Sequence, residues 1–366
     1  MINRLIVSNL AHRPVRTTVS VLAVAIEVAM VLLVVGLCNG LVNDSAKRTE
    51  GVGADIMVQP QGASLFFAMN QAPMSIKIAD RLRELPHVMA VAPTLFQVTS
   101  VQSLAIIYGV DLASFDAVSG GFVYHSGGPF QGPNDILVDD VYARANHTKV
   151  GQTLNLLNHD FRVAGIVEHG KGARMFIPLS TAQDMVGAQG KASIFYVKCT
   201  DPAFTDQTAD AIRTLLPNNT VRPIKEYMKL MTSNNVPALN YFIGVMIGLA
   251  VGIGFLVIFL SMYTTITERT REIGILKSLG ASKTYIITVI LREAAALTAI
   301  GIIAGLLASL IARKVLIGVF PTLPVQLTWD WRLYAAGLAL LGSLVGAFYP
   351  ALRAARLDPV DALAYE

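Results

Sequence analysis

Charge is what this sequence has least of. Only 15% of its 366 residues are Asp, Glu, Lys or Arg, and 53% are hydrophobic; ordinary soluble domains carry about 25% charged residues. So little charge argues against an ordinary cytoplasmic enzyme, and so much apolar surface excludes a disordered chain. Cysteine is scarce as well. Cys38 and Cys199, far apart in sequence, cannot build a disulfide framework or a cysteine-based zinc site. The six histidines (His12, His87, His125, His147, His159 and His169) show no H-x-x-x-H or H-E-x-x-H spacing, and there is no G-x-S-x-G elbow. These absences give no support to a metal-binding or catalytic role. A net charge of +4 is too mild, at this length, to imply a nucleic-acid partner. With a mean hydropathy of +0.54, the composition is that of a membrane protein.

A span needs about 20 mostly apolar residues, because the hydrocarbon core is roughly 30 Å thick and a helix rises ~1.5 Å per residue. Four segments qualify. They are Thr17–Val42, Tyr241–Ile266 within the uncharged stretch 236–267, and the uncharged runs Ala294–Ala312 and Leu333–Leu352. The first is interrupted by Glu27 and preceded by Arg4, Arg13 and Arg16. It is too long for the apolar part of a signal peptide and no A-x-A-like site clearly follows, so it reads as a retained span. Lys and Arg in short flanks mark the cytoplasmic side. Residues 1–16 hold three arginines and no acid, the 267–284 loop holds Arg269, Arg271, Lys277 and Lys283, and the tail 353–366 holds Arg353 and Arg356. The 313–332 loop carries Arg313, Lys314 and Arg332, so the bias is modest. It places both termini in the cytoplasm and residues 43–237 outside.

The expected fold is therefore α-helical and membrane-bound: spans at 17–42, 241–266, 285–312 and 333–352, with a large α+β extracytoplasmic domain inserted between the first two. Within 43–237, strands are expected at Ala54–Val58, Val88–Val98, Ser193–Cys199 and Thr220–Pro223, with helices at Ile76–Leu85 and Asp206–Leu216. Two β-α-β units flanking an insertion suggest a split, ferredoxin-like layer. The insertion, about 111–190, is rich in Gly and in alternating runs such as Phe161–Val167, which suggests a small β subdomain. Gly165 to Lys171 matches the G-x-x-x-x-G-K spacing of a phosphate-binding loop. That chemistry needs Ser or Thr next and then a helix. Gly172 follows instead, and Arg174–Pro178 reads as a strand, so a Gly-rich hairpin turn is expected and no ATP site in this chain. Asn146-His-Thr148 and Asn218-Asn-Thr220 match the glycosylation triplet, to which we give no weight. Phe66, Phe67 and Met69 read equally as an exposed contact loop or as core.

The stretch Thr267–Ala281 is the most informative. Ile273, Leu276 and Leu279–Gly280 fall at three- and four-residue steps, so a short helix would carry one apolar stripe. Glu268 and Arg271 form an i,i+3 pair on its polar side, and Gly280 is a C-terminal stop. Two readings stand open: docking into a groove on a cytoplasmic partner, or lying on the lipid surface. Inside the bilayer, Glu27 must face protein or water. It serves as a cargo contact, as a polar lock at a dimer seam or, the simpler reading, as a neutral structural donor. Arg292 and Glu293 are expected to snorkel at the inner boundary, or to mark a cytoplasmic extension of the third span. Every span contains G-x-x-x-G: Gly36/Gly40, Gly244/Gly248/Gly252, Gly301/Gly305 and Gly342/Gly346. Such faces permit close helix approach within the bundle or at a dimer seam.

Arg271-Glu272-Ile-Gly274, Lys277 and Leu279-Gly-Ala281, followed by Glu293, resemble the cytoplasmic loop and third span of MacB/FtsX-type ABC transporter permeases. The tail from Tyr349-Pro-Ala351 through Leu357-Asp-Pro359 to Leu363 resembles their C-terminal signature. Gly53-Ala-Asp55, Val163-Ala-Gly165 and Ile177–Gln183 resemble their periplasmic motifs. The resemblance runs through nearly the whole chain in family order. It implies an inner-membrane permease subunit that pairs with a second copy and a separate cytoplasmic ATPase. ATP and Mg would be held in that partner, with no cofactor on this chain. Residues 267–284 become the coupling helix, which favours docking over lipid. Motion would pass by mechanical transmission to the outer domain, moving lipoproteins, lipids, peptides or hydrophobic toxins. An alternative is the FtsX-like role of activating a cell-wall hydrolase. The outer segment is shorter than in efflux-pump members, which argues against docking to an outer-membrane channel, and the first span starts within 17 residues, so the fused N-terminal ATPase domain of those members is not expected. A periplasmic adaptor or membrane-fusion protein and membrane lipids remain further partners.

Overall fold

The computed structural model describes residues 14–62, 74–99, 105–231 and 237–358. His12, Phe66, Phe67, Met69 and the signature residues Pro359–Leu363 lie outside them. The chain divides into two compact units: one from Met1–Cys38, Ala238–Leu316 and Val325–Glu366, the other from Asn39–Pro237 with Ile317–Pro324.

Four helices long and apolar enough to span a bilayer belong to the first unit: α1 (Pro14–Glu50, whose end continues into the second unit) and three that follow the outer domain. In chain order the elements between are β1 (Ile56–Pro60), β2 (Met74–Ser75), α2 (Ile78–Arg83), β3 (Val88–Thr99), β4 (Ala105–Val110), α3 (Leu112–Ser119), β5 (Tyr124–Gly127), β6 (Asp135–Asp139), α4 (Asp140–Asn146), β7 (Thr153–Leu156), β8 (His159–Val167), β9 (Met175–Pro178), α5 (Leu179–Met185), β10 (Lys191–Ala192), β11 (Ile194–Cys199), α6 (Thr205–Leu215), β12 (Asn219–Pro223) and α7 (Ile224–Leu230). Then come α8 (Pro237–Glu268), α9 (Thr270–Ser278), α10 (Lys283–Val319) and α11 (Trp329–Arg356). α1, α10 and α11 run past the uncharged segments read from sequence, whereas α8 nearly coincides with the stretch 236–267. α10 in particular is unbroken from Lys283 to Val319 and leaves a shorter connection to α11 than the 313–332 loop read from sequence.

Lipid gives apolar helices no reason to associate, so contact requires small residues that let backbones approach. A Cβ on Gly301 would meet Val24 Cβ at 2.6 Å, and one on Gly305 would meet the Ala25 carbonyl at 2.7 Å, so α10 lies hard against α1. Gly346 stands in the same relation to the Phe255 carbonyl of α8, at 2.8 Å. The buried side of α11 is a four-residue ladder of Ala335, Ala339, Ser343, Ala347, Ala351 and Ala355. Leu, Ile and Val crowd the outward faces instead, such as Leu22 and Ile26 on α1 and Ile303 and Leu307 on α10, all exposed.

The outer unit is built on one long sheet, ordered β12-β1-β11-β3-β4-β9-β6-β8-β5, with β7 added on β8. Its first four strands are antiparallel in the order fourth-first-third-second of two β-α-β units, which is the split ferredoxin-like arrangement. Leu82 of α2 and Ala209 and Ile212 of α6 bury against Ile56, Val91 and Phe195 on one face. The expected insertion does not form a subdomain of its own. β3 is twelve residues long; its first half pairs with β11 and its second half with β4, which carries the sheet into β9, β6 and β8. A second core forms there from Ile136, Val138, Phe161, Val163 and Ile177, and it includes α4 and α5. The Gly165–Arg174 segment is likewise not a hairpin. β8 and β9 are separated by β6, parallel to the first and antiparallel to the second. Sequence adjacency suggested direct pairing, but the cross-strand burial of β6, buried at all five positions, placed it between them.

Two carboxylates in this half, the buried Asp135 and the half-buried Asp140, carry a pH signature. Burial pushes Asp135 up, but hydrogen bonds from the Gln131 and Gly132 amides and from Arg162 outweigh it and hold the carboxyl below the usual range. Asp140 behaves alike, its burial outweighed by Arg144 and His169. Both contributions are present above the ordinary carboxylate pKa of about 4 and are lost as pH falls through the depressed values. Melting of the outer domain, followed in the detergent-solubilised chain, should therefore drop steeply below about pH 4, and Asp135→Asn should be less stable at neutral pH and show a shallower drop.

Candidate functional site

α8 ends at Glu268, the backbone turns at Arg269, and α9 starts at Thr270. The break puts Glu268 and Arg271 on different helices, so their expected i,i+3 pairing does not form. Glu268 instead accepts from Arg16 of α1 at 3.2 Å, while Arg271 and Glu272 are exposed. Arg269, which sequence reasoning did not single out as a site residue, organises the turn. Its Nε donates to Glu272 at 2.7 Å and its Nη1 reaches Glu293 of α10 at 3.4 Å. Glu293 is 2% exposed, so it does not snorkel; its neighbour Arg292 is exposed. Lys277 donates from the other end of α9 to the carbonyls of Ala355 and Leu357, just where α11 ends. Unsatisfied carbonyls at a helix C-terminus attract a cation, which fixes the geometry. Gly280 then takes φ +93°, the left-handed stop that glycine adopts without steric cost. A further contact ties α11 to α8: Arg353 donates to the Tyr263 hydroxyl and lies over its ring, 4.9 Å from the centroid.

The predicted apolar stripe divides in two. Ile273 and Gly274 are buried in the bundle, whereas Leu276 is 39% and Leu279 79% exposed. Ile275, outside the predicted stripe, is 45% exposed beside them. A helix of nine residues is thus clamped at both ends by ionic groups and seated through one face, and it turns bulky apolar side chains outward.

Glu27 lies in the α1–α8 seam at 5% exposure, and its Oε2 has no hydrogen-bond partner among the described residues. It sits against Gly254, where a built Cβ would be 1.8 Å from that oxygen. Gly254 was not among the expected packing glycines; its place in the seam follows only from register. On α8 the seam residues Gly254, Ser261 and Glu268 recur every seven positions. They meet Glu27, Ser20 (hydroxyls 2.7 Å apart) and Arg16 of the antiparallel α1. The other glycines separate clearly. Gly301, Gly305 and Gly346 contact neighbouring helices closely, and Gly342 touches Val251 at 3.4 Å. Gly36 approaches Gln326 and Leu327 at 3.0 Å. Nothing among the described residues lies within 4 Å of a Cβ at Gly244, Gly248 or Gly252.

A family model described as the MacB-like periplasmic core domain matches residues 17–215, and one described as the FtsX-like permease C-terminal matches residues 244–359. The chain belongs to the MacB/FtsX-type family of ABC transporter permeases. It is 27% identical to the macrolide export ATP-binding/permease protein MacB of Nitrobacter winogradskyi over 97% of its own length, and 27% identical to that of Acinetobacter baylyi over 99%. It spans 59% of the length of either relative. An uncharacterized ABC transporter permease of Bacillus subtilis, YvrN, is 40% identical across 29% of the chain. Among solved structures, the periplasmic region of MacB from Actinobacillus actinomycetemcomitans covers 48% of the chain, and the chain 92% of it, at 17% identity and a TM-score of 0.38. Four membrane helices with an α+β domain between the first and second are the architecture of this multi-pass permease. The FtsX-like match contains α9 whole, together with the Arg269, Glu293 and Lys277 contacts that clamp it.

Glu293→Ala should leave the half-buried Arg269 only the exposed Glu272 to pair with and untie α9 from α10. This variant should melt earlier in detergent, whereas Arg292→Ala, at an exposed site, should not.

Proposed function

We propose that this chain is the permease subunit of an ABC transporter of the inner membrane, with both termini cytoplasmic. A separate ATPase subunit, holding ATP and Mg, docks on α9, and its cycle moves the outer domain to export or extract a hydrophobic or lipidated substrate. The observation that carries the reading is the clamped helix with Leu276 and Leu279 turned outward. An exposed apolar pair on a rigid mount is what helix-in-groove recognition uses, and the Lys and Arg of its flanks favour the cytoplasmic side. The G-x-x-x-x-G-K spacing gives no rival site: Gly165 lies in β8, and Lys171 donates its ammonium to the Ser119 carbonyl at 2.6 Å. A periplasmic adaptor and membrane lipids complete the expected partners.

A second copy is the partner proposed for the open face of α8. Gly244, Gly248 and Gly252 lie uncovered there, flanked by the exposed Val245 and Leu249, whereas Gly36, Gly301, Gly305, Gly342 and Gly346 of the other spans meet neighbours within the chain.

Purification of the tagged chain in mild detergent should bring down a stoichiometric subunit containing a phosphate-binding loop. Leu276→Asp with Leu279→Asp should lose it while still inserting and folding; full retention would sink the docking assignment. A Gly248→Cys chain should crosslink to a dimer in membranes more readily than a Leu307→Cys control on the exposed face of α10, and equal yields would remove the α8 seam.

A further inference from the structure

The Gly-rich segment that imitates a phosphate loop has a different ligand, which is the end of the first helix. Gly172 donates its amide to the Arg48 carbonyl at 2.8 Å, in the last turn of α1. Gly51, just past that helix, lies so close to the Gly170 carbonyl that a Cβ on it would come within 2.1 Å. Gly170 and Gly172 both have positive φ, +112° and +86°, so the turn can follow the helix end only because these positions are glycine. Both ends of the turn are then pinned by adjacent aspartates at the start of α4. Asp140 accepts from the His169 amide and ring at 3.0 and 2.9 Å, and Asp139, which is wholly buried, pairs with Arg174 at 3.2 Å.

Arg174 does more than close the turn. Its Nη2 also reaches Asp44 of α1 at 3.3 Å and the Thr322 carbonyl, in the α10–α11 connection, at 3.4 Å. Asp44 in turn pairs with Arg48 at 3.1 Å. One guanidinium, 11% exposed at its side chain, therefore joins three separate stretches of the outer unit. A planar fork with five donors can serve three acceptors at once, and an ammonium cannot hold the same directions.

We propose that Arg174 is a positioning residue of the permease: with the Gly170–Gly172 turn it clasps the outer end of α1, so that movement of this helix is delivered to the sheet at the β8–β9 connection and not absorbed by a flexible linker. The role in transmission rests on the permease reading above; the clasp itself does not.

The test uses the full chain in nanodiscs, with Cys38 and Cys199 replaced by alanine and spin labels at the exposed positions Lys47 on α1 and Lys149 in the outer domain. The parent should give one narrow distance distribution. Arg174→Gln should broaden it about twofold or split it, because the fork that joins the segments is gone. Arg174→Lys should fail to restore it, although the charge is kept. If Arg174→Gln unfolds the domain, Asp44→Asn, which leaves the buried Asp139 pair intact, supplies the same readout in a folded chain. An unchanged distribution in folded variants, or full rescue by lysine, would overturn the clasp. In a complex with the ATPase, Arg174→Lys should keep nucleotide hydrolysis and lose nucleotide-dependent movement of the Lys149 label. Retained movement would overturn the transmission role, and failure to find any ATPase would overturn the permease reading while leaving the distance result standing.

Discussion

A peptide group inside hydrocarbon has no water to bond with, and an apolar side chain there gains nothing by leaving lipid for protein. That constraint shapes the whole membrane unit. Backbone groups must be satisfied within continuous helices, so α1, α10 and α11 run past the ends of their uncharged segments and α8 fills most of its own. Attraction between them must come from close packing, so Ala, Gly and Ser line the closest contacts and the buried face of α11, with Val, Leu and Ile filling the space between helices as well as facing outward. Pro350 is tolerated within α11 because it lies on the buried, small-residue side against neighbouring helices. One line of polar groups runs along a seam, where Arg16, Ser20 and Glu27 meet α8 residues spaced seven apart.

The same logic explains why ionic contacts appear where α9 is mounted. Near the headgroups a charged side chain can anchor a helix end without the full cost of the bilayer centre. Arg269 and Lys277 use this on opposite ends of α9, one through a buried glutamate and the other through the carbonyls that end α11. With its ends held, a helix too short to be stable alone becomes a fixed platform. Its outward Leu276 and Leu279 leave apolar surface on that face.

Outside the membrane the driving force reverses, since water makes apolar burial favourable. Two cores form on one sheet, and β3, shared between them, makes the insertion an extension of the first layer. The polar exceptions are specific. Asp55 of the Gly53-Ala-Asp55 motif takes the Cys199 amide at 2.9 Å and pairs with Lys198. Gly165 of Val163-Ala-Gly165 lets the Gly128 carbonyl come within 2.7 Å of where a Cβ would stand. At both motifs a close backbone approach or a half-buried carboxylate constrains the residue.

Hydrophobic length, the two β-α-β patterns and the short helix before Gly280 were legible in the sequence, because each depends on neighbours within about one helix length or one strand pair. Apolar runs, turn residues and periodicity record local requirements, and so determined the membrane class, the split layer and the position of α9. What could not be read were contacts that link distant segments. Glu268 is expected to pair with Arg271 and instead meets Arg16; Glu293 is expected to snorkel and is instead buried against Arg269, although the helical extension expected over 283–293 is present; the Gly165–Lys171 segment is expected to be a hairpin turn, and its Gly170 instead packs against the end of α1. Which of four equivalent glycine motifs packs and which stays open was undecided for the same reason. Spacing states what a residue can do, but the register between helices and the order of strands in a sheet are settled by burial summed over the whole chain, and only the tertiary structure carries that sum.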